Sequence, residues 1–147
     1  MGTTTFSGPV KAGSIREGAS ANVGFALMAQ SAKVTFAANG TTTVVARLPA
    51  NSQIFQITVD VTTAFDAGSA NTLDIGDGTT ADKYADALAL GSLARVLATS
   101  DVSQIGNLID IGTSDVAITT TYNQSGSAAS AGAATVTVLY LQNNNLS

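Results

Sequence analysis

Four carboxylates crowd the stretch TLDIGDGTTADKYAD at 72–86: Asp74, Asp77, Asp82 and Asp86. Side chains of this type at this spacing serve three kinds of chemistry: an oxygen cage for a hard cation, an acid–base pair, or the capping of a turn. A calcium loop of the helix–loop–helix kind needs ligands at alternating positions, a central Gly and a closing Glu. Asp74 and Asp77 stand three apart, no Glu follows, and D-x-[DN]-x-[DN]-G is not met. What remains of the cation reading is an irregular loop site using Asp74, Asp77 and Asp82. An acid–base pair requires one carboxylate to be buried while the other stays ionised, and spacing alone places neither. The turn reading accounts for more of the residues. Leu73 and Ile75 alternate with Asp74 as in a strand with one wet face, and Gly76-Asp77-Gly78 then supplies Gly for positive φ and Asp to cap its own backbone. LIDIGTSD (108–115) repeats the strand-then-turn pattern with Thr113-Ser114 in place of Asp77-Gly78. The echo lacks the second carboxylate, so the shared feature is the turn, and no metal ligands are assigned.

The remaining chemistry-bearing residues are sparse. The chain has no His and no Cys, which removes Ser-His-Asp and Cys-His arrangements, thiolate ligands and a disulfide framework. Its hydroxyls would have to find a base in Lys11, Lys33 or Lys83. No G-x-x-x-x-G-K-[ST] occurs, and Gly76-x-Gly78 is only a fragment of a dinucleotide fingerprint. No catalytic residue and no cofactor are assigned, and the chain reads as a non-enzyme.

With a net charge of −4 and six Lys and Arg in total, there is no basic stripe to neutralise phosphates, which argues against nucleic acid. No run approaches the roughly 18–20 apolar residues of a membrane helix, and MGTTTFSGPVKAG lacks the apolar core of a signal peptide. The expectation is a soluble protein made in a cytoplasm. Hydrophobic residues reach 45% while aromatic residues are 5% and charged residues 11%, less than half the usual charged share of about 25%. The surface is therefore largely neutral and costs little to desolvate, as suits a subunit lying against others.

The elements that would carry such a surface have a period of two. In QIFQITVDV (53–61), Phe55, Ile57, Val59 and Val61 fall on one face and Gln56, Thr58 and Asp60 on the other. VAITTTY (116–122) groups Val116, Ile118, Thr120 and Tyr122. ATVTVLYL (134–141) groups Val136, Val138 and Tyr140, with Leu139 and Leu141 making the opposite face apolar too. VGFALMA (23–29), AKVTFAA (32–38) and TTVVARL (42–48) are further strands, punctuated by turns at Gln30-Ser31, Asn39-Gly40 and Pro49–Ser52. Asn39-Gly40 between two strand runs predicts a hairpin. ADKYADALALGSLARVLA (81–98) is rich in Ala and Leu and reads as a short helix, or else a strand. SGSAASAGAA (125–134) is a small-residue, mobile loop between two late strands. The length suits one domain. The prediction is a mainly β protein: a single antiparallel β-sandwich or jelly roll over 23–147, with at most one short helix. Few charges stand on the strands to guard the sheet edges. Residues 1–22 form either an N-terminal arm or one more edge strand.

The phrases TTFSGPVKAGSIREG…ANVGFALMAQS, ARLPANSQIFQITVDVTTAF, NTLDIGDGTTADKYADAL and IDIGTSDVAITTTYN, with the final TVTVLYLQ strand, resemble head-associated structural proteins of tailed bacteriophages. Within that group the chain is similar to capsid decoration (cement) proteins. The resemblance implies a β-sandwich or jelly-roll subunit, often a homotrimer, on the outer surface of the virion. Its partner would be the major capsid protein, and its role to stabilise the head. A head-fibre or tail component is the neighbouring alternative, and a glycan-binding adhesion module the alternative from another class. No site residue carries over from the resemblance. From the residues themselves, Phe6, Lys11, Ile15 and Arg16 are the candidate capsid contacts. They lie in a segment too sparsely apolar to be core and broken by Pro9.

Overall fold

Alternation of large apolar and small polar residues decides which face of each strand is buried. In Ala133–Asn143, Ala134, Val136, Val138 and Tyr140 are buried while the intervening Thr135, Thr137, Leu139 and Leu141 are half-buried. The computed structural model describes residues 25–98 and 111–143. Among these are eight strands: β1 (Phe25–Thr35), β2 (Thr42–Leu48), β3 (Gln53–Thr63), β4 (Ala70–Gly76), β5 (Ala85–Ala89), β6 (Ala94–Leu97), β7 (Val116–Ser125) and β8 (Ala133–Asn143). They form two four-stranded sheets of order β1-β8-β3-β6 and β2-β7-β4-β5, with antiparallel pairing throughout both. That interleaving is the strand order of an eight-stranded jelly roll, as the sequence predicts.

The core lies between the sheets. Ile57, Val59, Val136 and Val138 from the first sheet meet Leu73, Ile75, Ile118 and Tyr122 from the second. Phe65 packs its ring on Tyr122 at 4.7 Å. Burying side chains of this size contributes on the order of 1.5–3 kcal/mol each against chain entropy.

Several elements depart from expectation. Residues 23–29 and 32–38 are not two strands with a turn at Gln30-Ser31. β1 runs unbroken through both residues, paired with β8 from Phe25↔Asn143 to Thr35↔Ala133, and a short 3-10 turn (Phe36–Ala38) follows it. Asn39-Gly40 does make a turn, but not a hairpin: β1 pairs with β8 and β2 with β7, so the turn carries the chain from one sheet to the other. Of the two readings of residues 81–98, helix or strand, the strand holds, and no α-helix forms in these residues. Their Ala and Leu occupy β5 and β6, the outer strands beside β4 and β3. Tertiary pairing overrides local propensity there, and Leu90, between the two strands, reaches the core.

Phe55 is a further departure. Pairing of β3 with β8 shifts between Ile54 and Gln56, so Phe55 and Gln56 together oppose Leu139. This bulge reverses the alternation at the start of β3. Ile54 takes the inward position at 5% exposure and Phe55 points outward at 60%.

The 126–132 loop, mobile by composition, is tethered. The Asp66 carboxylate accepts the backbone N–H of Ser130 at 2.8 Å and of Ala131 at 2.9 Å, and the Ser130 hydroxyl at 2.7 Å. These bonds, the one from Ala131 foremost, hold Asp66 below the ordinary carboxylate range.

Candidate functional site: an acidic turn and a neutral sheet face

Two regions collect the residues with functional potential, one on each side of the sandwich. The first is the acidic turn after β4. Asp77 Oδ1 accepts the backbone N–H of Thr79 and of Thr80, each at 2.9 Å, and Oδ2 accepts the Lys83 ammonium at 2.9 Å. The Asp77 N–H closes the turn onto the Thr80 carbonyl at 3.1 Å. Burial pushes the Asp77 pKa upward. The Thr80 N–H, the Lys83 ammonium and the Thr79 N–H together outweigh burial and hold it down to about 2.

Gly78 has φ of 83° and donates its N–H to Thr119 Oγ1. Gly76 is required for a different reason: a Cβ there would run into the Thr80 carbonyl oxygen. The chain then returns as Tyr84 N–H meets the Ile75 carbonyl at 2.8 Å, and the Lys83 ammonium lies 5.5 Å from the centre of the Tyr84 ring.

The neighbouring carboxylates have separate tasks. Asp74 accepts the backbone N–H of Ala87 and the side-chain amide of Asn123, at 2.9 and 2.7 Å. Asp82 and Asp86 are exposed. Among the described residues no group of three or more metal-ligating side chains gathers. The supposed echo at 108–115 has its first three residues outside the described chain, and its positive φ is at Gly112, the position matching Gly76 rather than Gly78. Asp77 thus works on its own backbone.

A cavity of about 170 Å³ lies between Arg47, Leu48 and Pro49 on one side and Asp115, Val116 and Ala117 on the other. It is smaller than the roughly 300 Å³ at which small-molecule sites begin.

The second region is the outer face of the first sheet. Cross-strand neighbours share a face, so the register reads off its composition directly. One row runs Leu27–Leu141–Gln53, with Phe55 beside it in the bulge. The next runs Ala29–Leu139–Gln56, then Ser31–Thr137–Thr58–Leu97, then Lys33–Thr135–Asp60–Arg95, with Thr35–Ala133–Thr63 beyond it. Charge is confined to the row of Lys33, Asp60 and Arg95, where Arg95 bonds Asp60. Leu27 is 59% exposed and Leu97 42%.

Phe6, Lys11, Ile15 and Arg16, the contacts singled out in the sequence, lie outside the described residues. The apolarity of Leu139 and Leu141 is legible in the sequence. Phe55, which sequence alternation assigns to the core, is not legible as a surface residue, because nothing local announces the bulge.

No protein-family model matches the chain, and no curated protein matches it in sequence. Solved structures do match. A chain of the cyanophage Pam1 capsid asymmetric unit is similar with a TM-score of 0.58 at 18% identity, over 89% of this chain and 94% of that one. A chain of the acid-stable capsid of Helicobacter pylori bacteriophage KHP30 gives 0.51 at 14% identity, over 82% and 93%. A chain of the Ralstonia phage GP4 capsid gives 0.55 at 18% identity, over 80% and 84%. The jelly roll of this chain is the fold of similarly sized chains within three phage capsids.

Proposed function

We propose that the chain is a virion structural protein, a decoration (cement) subunit that binds the outside of a major capsid protein lattice and stabilises the head. One observation carries the reading: the similarity extends over nearly the whole of three chains from phage capsids and over most of this one. Its physical logic is that a shell under pressure gains from any subunit that bridges its plates, and buried area supplies that gain without chemistry. Interfaces of the permanent kind run to about 2,000 Å² or more and are relatively apolar. A sandwich with a neutral sheet face and charged residues at only 11% suits that use.

The resemblance in sequence further suggests self-association into trimers, with Phe6, Lys11, Ile15 and Arg16 of the N-terminal segment as the grip on the capsid. The glycan-binding alternative loses support. Sugar platforms need exposed aromatic rings of Trp or Tyr; the chain has no Trp, and Tyr84, Tyr122 and Tyr140 are all buried.

The test is co-sedimentation with heads assembled without this subunit. The full chain binds saturably and raises the temperature at which the heads release DNA; a chain that stays in the supernatant overturns the reading. Deleting residues 2–16 tests the grip separately. The truncated protein is expected to fold and associate but to leave the heads unbound. Undiminished binding would remove the N-terminal segment from the interface.

A further inference from the structure

β8 is a central strand, yet both of its faces are apolar. Val138 and Tyr140 fill the core, while Leu139 and Leu141 point the other way and are only half-buried by their neighbours. Beside them stand Leu27 on β1 and Phe55 on β3, each about 60% exposed, with Leu97 one row further along. Phe55 is there because the bulge turns it outward. A bulge that takes a large aromatic side chain out of the core and sets it beside exposed leucines forgoes the burial of that ring, unless another surface covers it.

Charge identifies the covering surface. In a two-fold contact each residue meets a different residue of the same patch, so a patch with an excess of one sign repels its own copy and a neutral one does not. The side of the sandwich around β4, β5 and their connecting turn carries Asp74, Asp77, Asp82 and Asp86 against Lys83, and two copies meeting there would repel. The outer face of the first sheet is uncharged in every row but that of Lys33, Asp60 and Arg95. Its size is also right. Strands of 11, 11, 11 and 4 residues, at about 3.3 Å per residue and about 4.8 Å apart, give a face of roughly 590 Å² in plan. Side-chain relief raises that toward the ~800 Å² that each partner buries in a standard interface.

We infer that copies of this chain associate through the outer face of the first sheet, with Leu27, Phe55, Leu139 and Leu141 at the centre of the contact. This deepens the self-association part of the proposed function and is independent of what the assembled copies bind.

Light scattering on the free protein at micromolar concentration tests it. The wild-type chain is expected at an integer multiple of 14.7 kDa. The double variant Leu27→Asp/Phe55→Asp should run as a monomer, its dissociation constant raised at least 100-fold. Val44→Asp, at an apolar and exposed position on β2 in the other sheet, should keep the wild-type mass. Far-UV circular dichroism verifies that each variant is folded; should the double Asp variant unfold, Leu27→Ser/Phe55→Ser carries the same expectation. A wild-type monomer overturns the inference, as does a folded double variant that stays associated. If deleting residues 2–16 abolishes association while the double variant retains it, the N-terminal segment makes the contact and the assignment is wrong. A monomer that still coats heads would overturn this inference and leave the decoration role standing.

Discussion

Replacing Asp77 by Asn separates its charge from its shape. The amide retains an oxygen for the N–H groups of Thr79 and Thr80 but loses the negative charge that strengthens both bonds and pairs with Lys83. The native carboxylate is held at about 2 against an ordinary 3.8, a difference worth at most about 2.4 kcal/mol. The Asp77 side chain is 16% exposed and Lys83 33%, so solvent screening reduces the figure to roughly 1.5–2 kcal/mol. Because the folded pKa lies below the unfolded one, this stability is fully present above the unfolded value and disappears as pH falls through the folded value. Urea unfolding followed by circular dichroism should therefore show Asp77→Asn less stable by about that amount at pH 7, with the gap narrowing from about pH 5 and nearly closed at pH 2. Asp77→Ala, which also loses the turn cap, should cost about 1 kcal/mol more. A gap of the same size at pH 7 and at pH 2 would refute the assignment of the shift to this turn.

Two further substitutions probe backbone sites where side chains do structural work. Gly76→Ala places a methyl against the Thr80 carbonyl, so the turn must move, and a loss of about 2–4 kcal/mol is expected in the same unfolding assay; a loss under about 0.5 kcal/mol would show that the close approach is relaxed in solution. Gln30→Ala removes a side-chain amide that accepts the Arg47 N–H, donates to the Arg47 carbonyl and donates to the Tyr140 hydroxyl. About 1–2 kcal/mol, read as a few degrees of Tm, is expected to go with it, and an unchanged Tm would mean that the bridge between β1 and β2 contributes nothing.

Individual strands were legible in the sequence because alternation is local; their pairing was not, because it is set by residues far apart. Val136, Val138 and Tyr140 could be assigned to the core from eight residues of context, and β8 buries them. Nothing within that context says that β8 pairs with β1 on one side and β3 on the other, nor that Asn39-Gly40 joins two sheets rather than two strands. The Ala- and Leu-rich 81–98 segment reads as helix or strand for a related reason: helix propensity is an intrinsic preference of a few tenths of a kcal/mol per residue, and the edge pairing beside β4 and β3 that outweighs it is not local. The acidic turn was the most legible feature, since an Asp between two Gly with hydroxyl residues after it caps its own backbone. Phe55 was the least, because one extra residue in a strand reverses every later side chain. The sequence shows the alternation but not the slip.

The placement of the few charges bears on which surfaces of the sandwich another chain can approach. Each edge strand carries one: Lys33 on β1 and Arg95 on β6 in the first sheet, Arg47 on β2 and Asp86 on β5 in the second. The central strands β7 and β8 carry none, and the two charges on β3 and β4 are engaged, Asp60 by Arg95 and Asp74 by the Ala87 N–H and Asn123. A charge on an edge hinders a foreign strand from adding to it, and at β2 the Gln30 amide already occupies the Arg47 N–H and carbonyl, the groups a foreign strand would use. β5 and β6 are five and four residues long and offer little to pair with. Edge-to-edge growth is thus discouraged at every edge by a charge and at three of the four by length or a bridge as well, while the outer face of the first sheet stays neutral over most of its area. Charge this sparse, set on the edges and kept off most of one face, opposes growth of the sheet through an edge and leaves that face the less repulsive surface.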